Sequence, residues 1–158
     1  MVGNWNPDGS GGIYNNHPDS LSYSSVLGRW SLRQEDLQPF SASAAFNLFV
    51  PAHGTGRYQH LNTPGNVSGA LTTLNQTDLN GHGDAIVLAT RNPGSGTITD
   101  LAAPLAVTYF GPNWTVARLD GLSMPSNGGF NVSVRPRPSS GRLRSLLNWL
   151  WCWSAGSS

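Results

Sequence analysis

The stretch Phe130-Asn131-Val132-Ser133-Val134 alternates apolar with polar side chains without a break. That is the period of a β-strand with one buried and one wet face; a helix would need its apolar residues three and four apart. Short apolar runs recur outward from this stretch, each bounded by Gly, Pro, Asn or Ser. The candidate strands are residues 21–27, 42–50, 57–61, 68–74, 85–90, 97–101, 105–110, 115–119 and 130–134. Several are rich in Val, Ile, Thr, Phe and Tyr, which suit a pleated, half-buried surface. Breakers such as Pro64-Gly65, Asn80-Gly81, Asn92-Pro93-Gly94 and Gly111-Pro112 recur at the spacing of an all-β sandwich or barrel. Residues 3–20 read as turns. Residues 28–38, with Arg29, Trp30, Leu32, Arg33 and Leu37, are the one part of the body where a short helix is expected. The body, residues 3–134, is therefore expected to be all-β, an antiparallel β-sandwich or jelly-roll-like domain.

Composition narrows the class. A chain of 158 residues fits one domain. Only 11% of it is charged, against about 25% in an average soluble protein. Low net charge with aromatics present excludes the usual disordered class. The absence of a Gly-x-y period excludes collagen, and the scarcity of Glu and Lys excludes a long coiled coil. All nine basic residues are arginine. Up to Val134 five arginines face all eight acids, a balance of −3, and from Arg135 onward four arginines face none, +4. A nucleic-acid-binding body would carry a basic face, so no nucleic acid is expected on this one. Cys152 is the single cysteine, which excludes an intrachain disulfide and leaves the compartment open. Residues 1–7 have no basic n-region and no apolar h-region, so they do not read as a signal peptide. Their Gly, Asn, Trp and Pro look like the start of an excised piece.

The tail changes character. Residues 135–141, with Pro136 and Pro138 alternating with arginine, read as an extended linker. Leu143, Leu146, Leu147, Leu150 and Trp151 then follow one helical stripe, widened by Trp149 and Trp153. Residues 142–153 are expected to form a short C-terminal amphipathic helix, either membrane-active or packed on the body. Residues 154–158 are expected to be a disordered tail.

Candidate sites are few. Arg57, Tyr58, His60 and Trp114 make an aromatic and basic set suited to a ligand surface, although Tyr and Trp more often serve a core. Residues 78–84 alternate oxygen-bearing side chains with glycines as a calcium loop does, but His82 stands where a hard oxygen ligand belongs. The same residues serve equally as an Asn-Gly hairpin turn. A Ser/His/Asp esterase-like hydrolase would have to use His17, His53, His60 or His82, and no nucleophile elbow accompanies them. Four sequons, at Asn66, Asn75, Asn113 and Asn131, are close to what chance supplies in so Asn- and Thr-rich a chain. No Walker, Rossmann, zinc or haem signature is present. The expectation is a non-enzymatic protein with no cofactor and no metal.

The short strands, the Ser/Thr/Asn/Gly-rich loops, the scarce charge and the missing lysine together resemble the C-terminal protruding, or spike, domain of small non-enveloped RNA virus capsid proteins. Insect viruses of the Lake Sinai or nodavirus-like kind are the nearest likeness, and the tail from Arg142 to Trp153 resembles their membrane-active peptides. The resemblance implies a virion-surface, extracellular domain that forms a dimer or trimer with itself and sits on the capsid shell. It also implies attachment to a host-cell receptor, protein or glycan, through loops 51–60, 62–67, 78–84 and 111–114, with membrane contact through the tail. A carbohydrate-binding module or tail-fibre-like domain is the alternative.

Overall fold

The computed structural model describes residues 2–6, 15–50, 56–93 and 100–135. The linker beyond Arg135, the amphipathic helix and the tail expected from sequence lie outside these residues, as does His53. The described chain is all-β, with eleven strands: β1 (Val2–Trp5), β2 (Asp19–Ser24), β3 (Arg29–Gln34), β4 (Phe46–Phe49), β5 (Arg57–Leu61), β6 (Val67–Ser68), β7 (Leu71–Leu74), β8 (Ile86–Arg91), β9 (Leu105–Phe110), β10 (Asn113–Arg118) and β11 (Gly129–Arg135). They form a five-stranded sheet in the order β3-β2-β8-β11-β5, a four-stranded sheet in the order β6-β7-β10-β9, and a two-stranded β1-β4 ribbon.

The core lies between the two larger sheets. Leu74 of β7 and Val116 of β10 meet Phe130, Val132 and Val134 of β11, and Leu79, Ala85, Leu101, Ala103 and Met124 fill in from the connections. Alternation decides which side chains point there. On β11 the odd positions, Asn131 and Ser133, face the other way, yet both are only 5% exposed. The wet face expected of this strand is in fact covered. The Asn131 amide donates to Leu21 O at 2.6 Å and accepts from Asn92 Nδ2 at 2.8 Å. Leu21 lies on β2, which meets β8 at a single parallel rung, Ser20 opposite Arg91, before the β2–β3 hairpin rises over the outer face of β11. The β1–β4 ribbon also lies against β8 and β11, and the Arg135 guanidinium stands 5.5 Å from the Phe49 ring.

The sequence pattern and the structure part at identifiable places. Residues 28–38 hold a strand, not a helix. Gly28 takes the left-handed conformation (φ +64°) that turns the chain back, and Arg29–Gln34 then pairs antiparallel with all six residues of β2. Arg29-Trp30-Ser31-Leu32 alternates with period two as well as it fits a helical stripe. The run 68–74 is a hairpin, divided by Gly69-Ala70 into β6 and β7. Asn80-Gly81 is not a hairpin turn, because β7 and β8 belong to different sheets and the turn carries the chain across the sandwich. Asp100 and Leu101 are not in a strand, while β1 falls where turns alone were expected. Pairing is antiparallel throughout except at the β2–β8 rung.

One buried ion pair anchors the hairpin. Glu35, just past β3, is 1% exposed, and Arg91 at the end of β8 is 2% exposed. Arg91 Nε lies 3.4 Å from Glu35 Oε2, which also accepts the Leu101 N–H at 2.7 Å. Arg91 Nη1 donates to Gly129 O at 2.8 Å, and its guanidinium stands 5.6 Å from the centre of the Phe130 ring. Gly128 makes room for this arrangement, since a Cβ there would sit 3.0 Å from Arg91 Nη1 and 2.9 Å from Asn62 Nδ2. Removing one member of a buried pair leaves the other charge stranded, which typically costs about 3–5 kcal/mol. Glu35→Ala is therefore expected to lower the unfolding free energy by about 3 kcal/mol or more in denaturant titrations. Asp100→Ala, which removes the exposed partner of Arg33, is expected to cost under about 1 kcal/mol.

Candidate functional site

The four residues proposed from sequence as a ligand surface fall in three places. β5 alternates, so Tyr58 and His60 point inward while Arg57 and Gln59 point out. Tyr58 packs against the core, where burial pushes its phenol well above the usual range and its Oη has no partner. His60 is buried, and its Nε2 shares a hydrogen bond with Thr72 Oγ1 at 2.8 Å. Burial also holds its ring below the ordinary histidine range. Trp114 lies on the other sheet, with its ring 5.6 Å from that of Tyr109 and its Nε1 donating to His82 O at 2.9 Å. That bond, with Gly81 N to Pro112 O at 2.8 Å, ties loops 78–84 and 111–114 together. Loop 62–67 instead joins 125–128, through Asn62 N to Gly128 O and Asn127 N to Asn62 O.

Arg57 does line a groove. On the outer face of the five-stranded sheet, Trp30, Arg57, Tyr58, Gln59, Asn131, Val132 and Ser133 enclose about 250 Å³. The raised β2–β3 hairpin supplies one wall and β5 the other. Trp30 is 37% exposed at the rim, edge-on to the ring of Tyr23 at 5.8 Å. The side chains of Trp30, Arg57 and Gln59 form no hydrogen bond or ion pair within the described structure, so their polar atoms stay available at one place. Trp30, Gln59, Asn131 and Ser133 were absent from the sequence reading of the site. The R-W-S-L alternation could have placed Trp30 on a strand, but nothing local says that this strand folds back over β11.

A second cleft, of about 340 Å³, is lined by residues 15–19 and 103–105. Its polar groups are engaged with one another. His17 Nδ1 pairs with Asp36 Oδ2, Asn15 Nδ2 donates to both oxygens of Asp19, and Gln34 Nε2 donates to Asn15 Oδ1. Burial raises the Asp19 carboxyl against the Asn15 hydrogen bond. At Asp36 desolvation acts in the same upward sense, but the bonds from His17 and the Gln38 N–H outweigh it and hold this carboxyl below its usual range. Among the described residues no group of three His, Cys, Asp or Glu is placed to hold a metal ion. In residues 78–84 the Asn80 amide is turned to Asn75 Oδ1 at 2.7 Å. Of the sequons, Asn131 is buried and hydrogen-bonded, which closes it to a glycan in the folded protein.

With the geometry in place, comparison with known families adds one match. A family model covers residues 20–134, from the β2–β8 rung to the last core residue of β11. The chain belongs to that family, described as Domain of unknown function (DUF7452). Both walls of the groove, the buried ion pair and, but for the end residues Asp19 and Arg135, the two larger sheets lie inside the family span, while β1 lies outside it. No curated protein and no solved structure matches the chain.

The buried imidazole predicts a pH dependence. In the unfolded chain His60 takes up a proton as pH falls through its ordinary value of 6.5, while the folded protein keeps the ring neutral to lower pH. The unfolded state then binds more protons, so stability declines as pH falls below 6.5 and levels off once the folded-state ring also titrates. His60→Gln, which can still bond Thr72, is expected to remove that part of the slope, at most about 1.4 kcal/mol per pH unit. Denaturation midpoints for both proteins across this range check the difference.

Proposed function

We propose that this protein is a non-catalytic binding domain and that the groove between the β2–β3 hairpin and β5 takes a carbohydrate. The carrying observation is the convergence of the exposed Trp30 ring with the side chains of Arg57 and Gln59, which are unengaged among the described residues. A sugar ring has an apolar C–H face that lies well on an aromatic surface, and hydroxyls that suit the planar donors of Arg and the mixed donor and acceptor of Gln. Ligand sites fix orientation with a few precisely placed polar groups beside an aromatic surface, and Arg57 and Gln59 stand beside Trp30 in that way. The β-sandwich-like scaffold supports the reading, because rigid sheets position such side chains precisely enough to select a ligand.

A projecting attachment domain on a larger particle, the role implied by the capsid resemblance, would meet a host-cell glycan through this same groove. Of the two receptor classes in that expectation, the glycan is the one favoured by the lining of the groove, an aromatic ring beside Arg57 and Gln59.

Glycan-array screening followed by calorimetry on the best hit tests the proposal. Trp30→Ala and Arg57→Ala are each expected to weaken binding about tenfold or more, as loss of an aromatic or arginine hot spot does. Trp114→Ala, on the opposite sheet, is expected to leave affinity unchanged. Binding that survives Trp30→Ala at full strength, or an array with no hit for the folded protein, would overturn the assignment.

A further inference from the structure

Of the four terminal strands of the two larger sheets, three are protected against further pairing. β3 carries Arg29 and Arg33, β5 carries Arg57, and β6 is two residues long. Short length and charge are the usual devices that keep an edge from recruiting another strand. β9 has neither. It is six residues, Leu-Ala-Val-Thr-Tyr-Phe, with no charge and no proline, and no strand lies beyond it among the described residues. The opening beside β8, where the hairpin departs, has β1 against it.

The register shows what the free edge offers. Leu119 N donates to Pro104 O at 2.9 Å, and residues 104 and 119 continue the β9–β10 ladder, in which Leu105 is opposite Arg118. Because hydrogen bonding alternates along an antiparallel pair, Ala106, Thr108 and Phe110 turn their backbone groups to β10. Leu105, Val107 and Tyr109 turn theirs to the open side. Three N–H and three C=O groups are thus presented in a row.

We propose that β9 pairs antiparallel with β9 of a second copy about a twofold axis normal to the sheet, joining two four-stranded sheets into one of eight. A twofold of this kind keeps the same face of both sheets on the same side, so each residue must meet a partner of its own parity. Centring the axis on Val107 sets Val107 opposite Val107 of the partner subunit and Leu105 opposite Tyr109 of the partner subunit. All six edge groups of each copy's row are then satisfied by the other's. The side-chain pairs on the core-facing side are apolar, and on the outer side Ala106 meets Thr108 of the partner subunit. A charged strand would place like charges across such an axis; this uncharged one does not. Phe110, 75% exposed at the strand end, gains cover along the seam. The contact is isologous and uses up the edge, so assembly closes at two.

Sedimentation equilibrium of the full chain, with hydrogen exchange at several concentrations, tests this. The expected result is a reversible dimer in which the amides of Leu105, Val107 and Tyr109 gain protection as concentration rises. Val107→Pro removes a donor that faces the open side, which an edge strand tolerates. Thr108→Lys adds an edge charge of the kind that blocks pairing. Each is expected to weaken dimerisation about tenfold or more while leaving the circular dichroism spectrum unchanged. A strictly monomeric wild type would overturn the proposal. So would a dimer in which these three amides exchange as freely as in the monomer, or one that both variants retain at full strength. Glycan binding is read out separately, on the other sheet, so either proposal can fail alone.

Discussion

The Glu35–Arg91 pair is the constraint on which the arrangement of layers depends. It is the point where the end of β3, the end of β8, the Leu101 segment and the entry to β11 are fastened together. A charge pair this deeply buried contributes little net stability compared with apolar residues of the same size. Its contribution here is to position. Arg91 meets Glu35, Gly129 and the Phe130 ring where the β2–β3 hairpin leaves the sheet after one rung. That departure covers Asn131 and Ser133, and it brings Trp30 across to face Arg57 and Gln59. The groove thus lies beside the same fold-back that the buried guanidinium fastens.

Much of this architecture was legible in the residues. The alternation of β11, the bounds of β5 and β9 and the all-β class follow from period-two patterning and from the Gly, Pro and Asn that interrupt it. What the pattern could not convey is which faces are covered. Asn131 and Ser133 look like a solvent face because they are polar, but Asn131 is polar in order to bind a backbone carbonyl of a strand more than a hundred residues earlier in the chain. Glu35 and Arg91 look like ordinary surface charges, since nothing local marks a buried pair. The same blindness divided the candidate ligand set: β5 puts Arg57 outside and Tyr58 and His60 inside, and no property of Trp114 shows that it belongs to the opposite sheet.

The scarcity of charge has a structural counterpart. On the outer face of the four-stranded sheet Thr73, Thr115 and Thr108 stand in one row across β7, β10 and β9. Thr108 and Thr115 share a hydroxyl hydrogen bond of 3.0 Å. Thr115 is only 4% exposed, so its hydroxyl is satisfied by its neighbour, and cross-strand threonine pairs of this kind stabilise a sheet without charge. The acids that remain are largely committed to partners: Asp36 to His17, Asp100 to Arg33, Asp120 to Arg118 and Glu35 to Arg91.

The β1–β4 ribbon joins two segments of different standing. β4 lies within the span shared by the family, yet among the described residues its one strand partner is β1, which lies outside that span. The ribbon therefore straddles the start of the matched span, with β4 inside it and β1 before it. Residues 46–49 form a docking seat that this chain occupies with its own leading strand, in the manner of a donor strand supplied in cis. Because β1 also contacts β8 and β11, loss of residues 2–5 would take from β4 its strand partner and uncover part of those two strands, while the two larger sheets keep every pairing of their own.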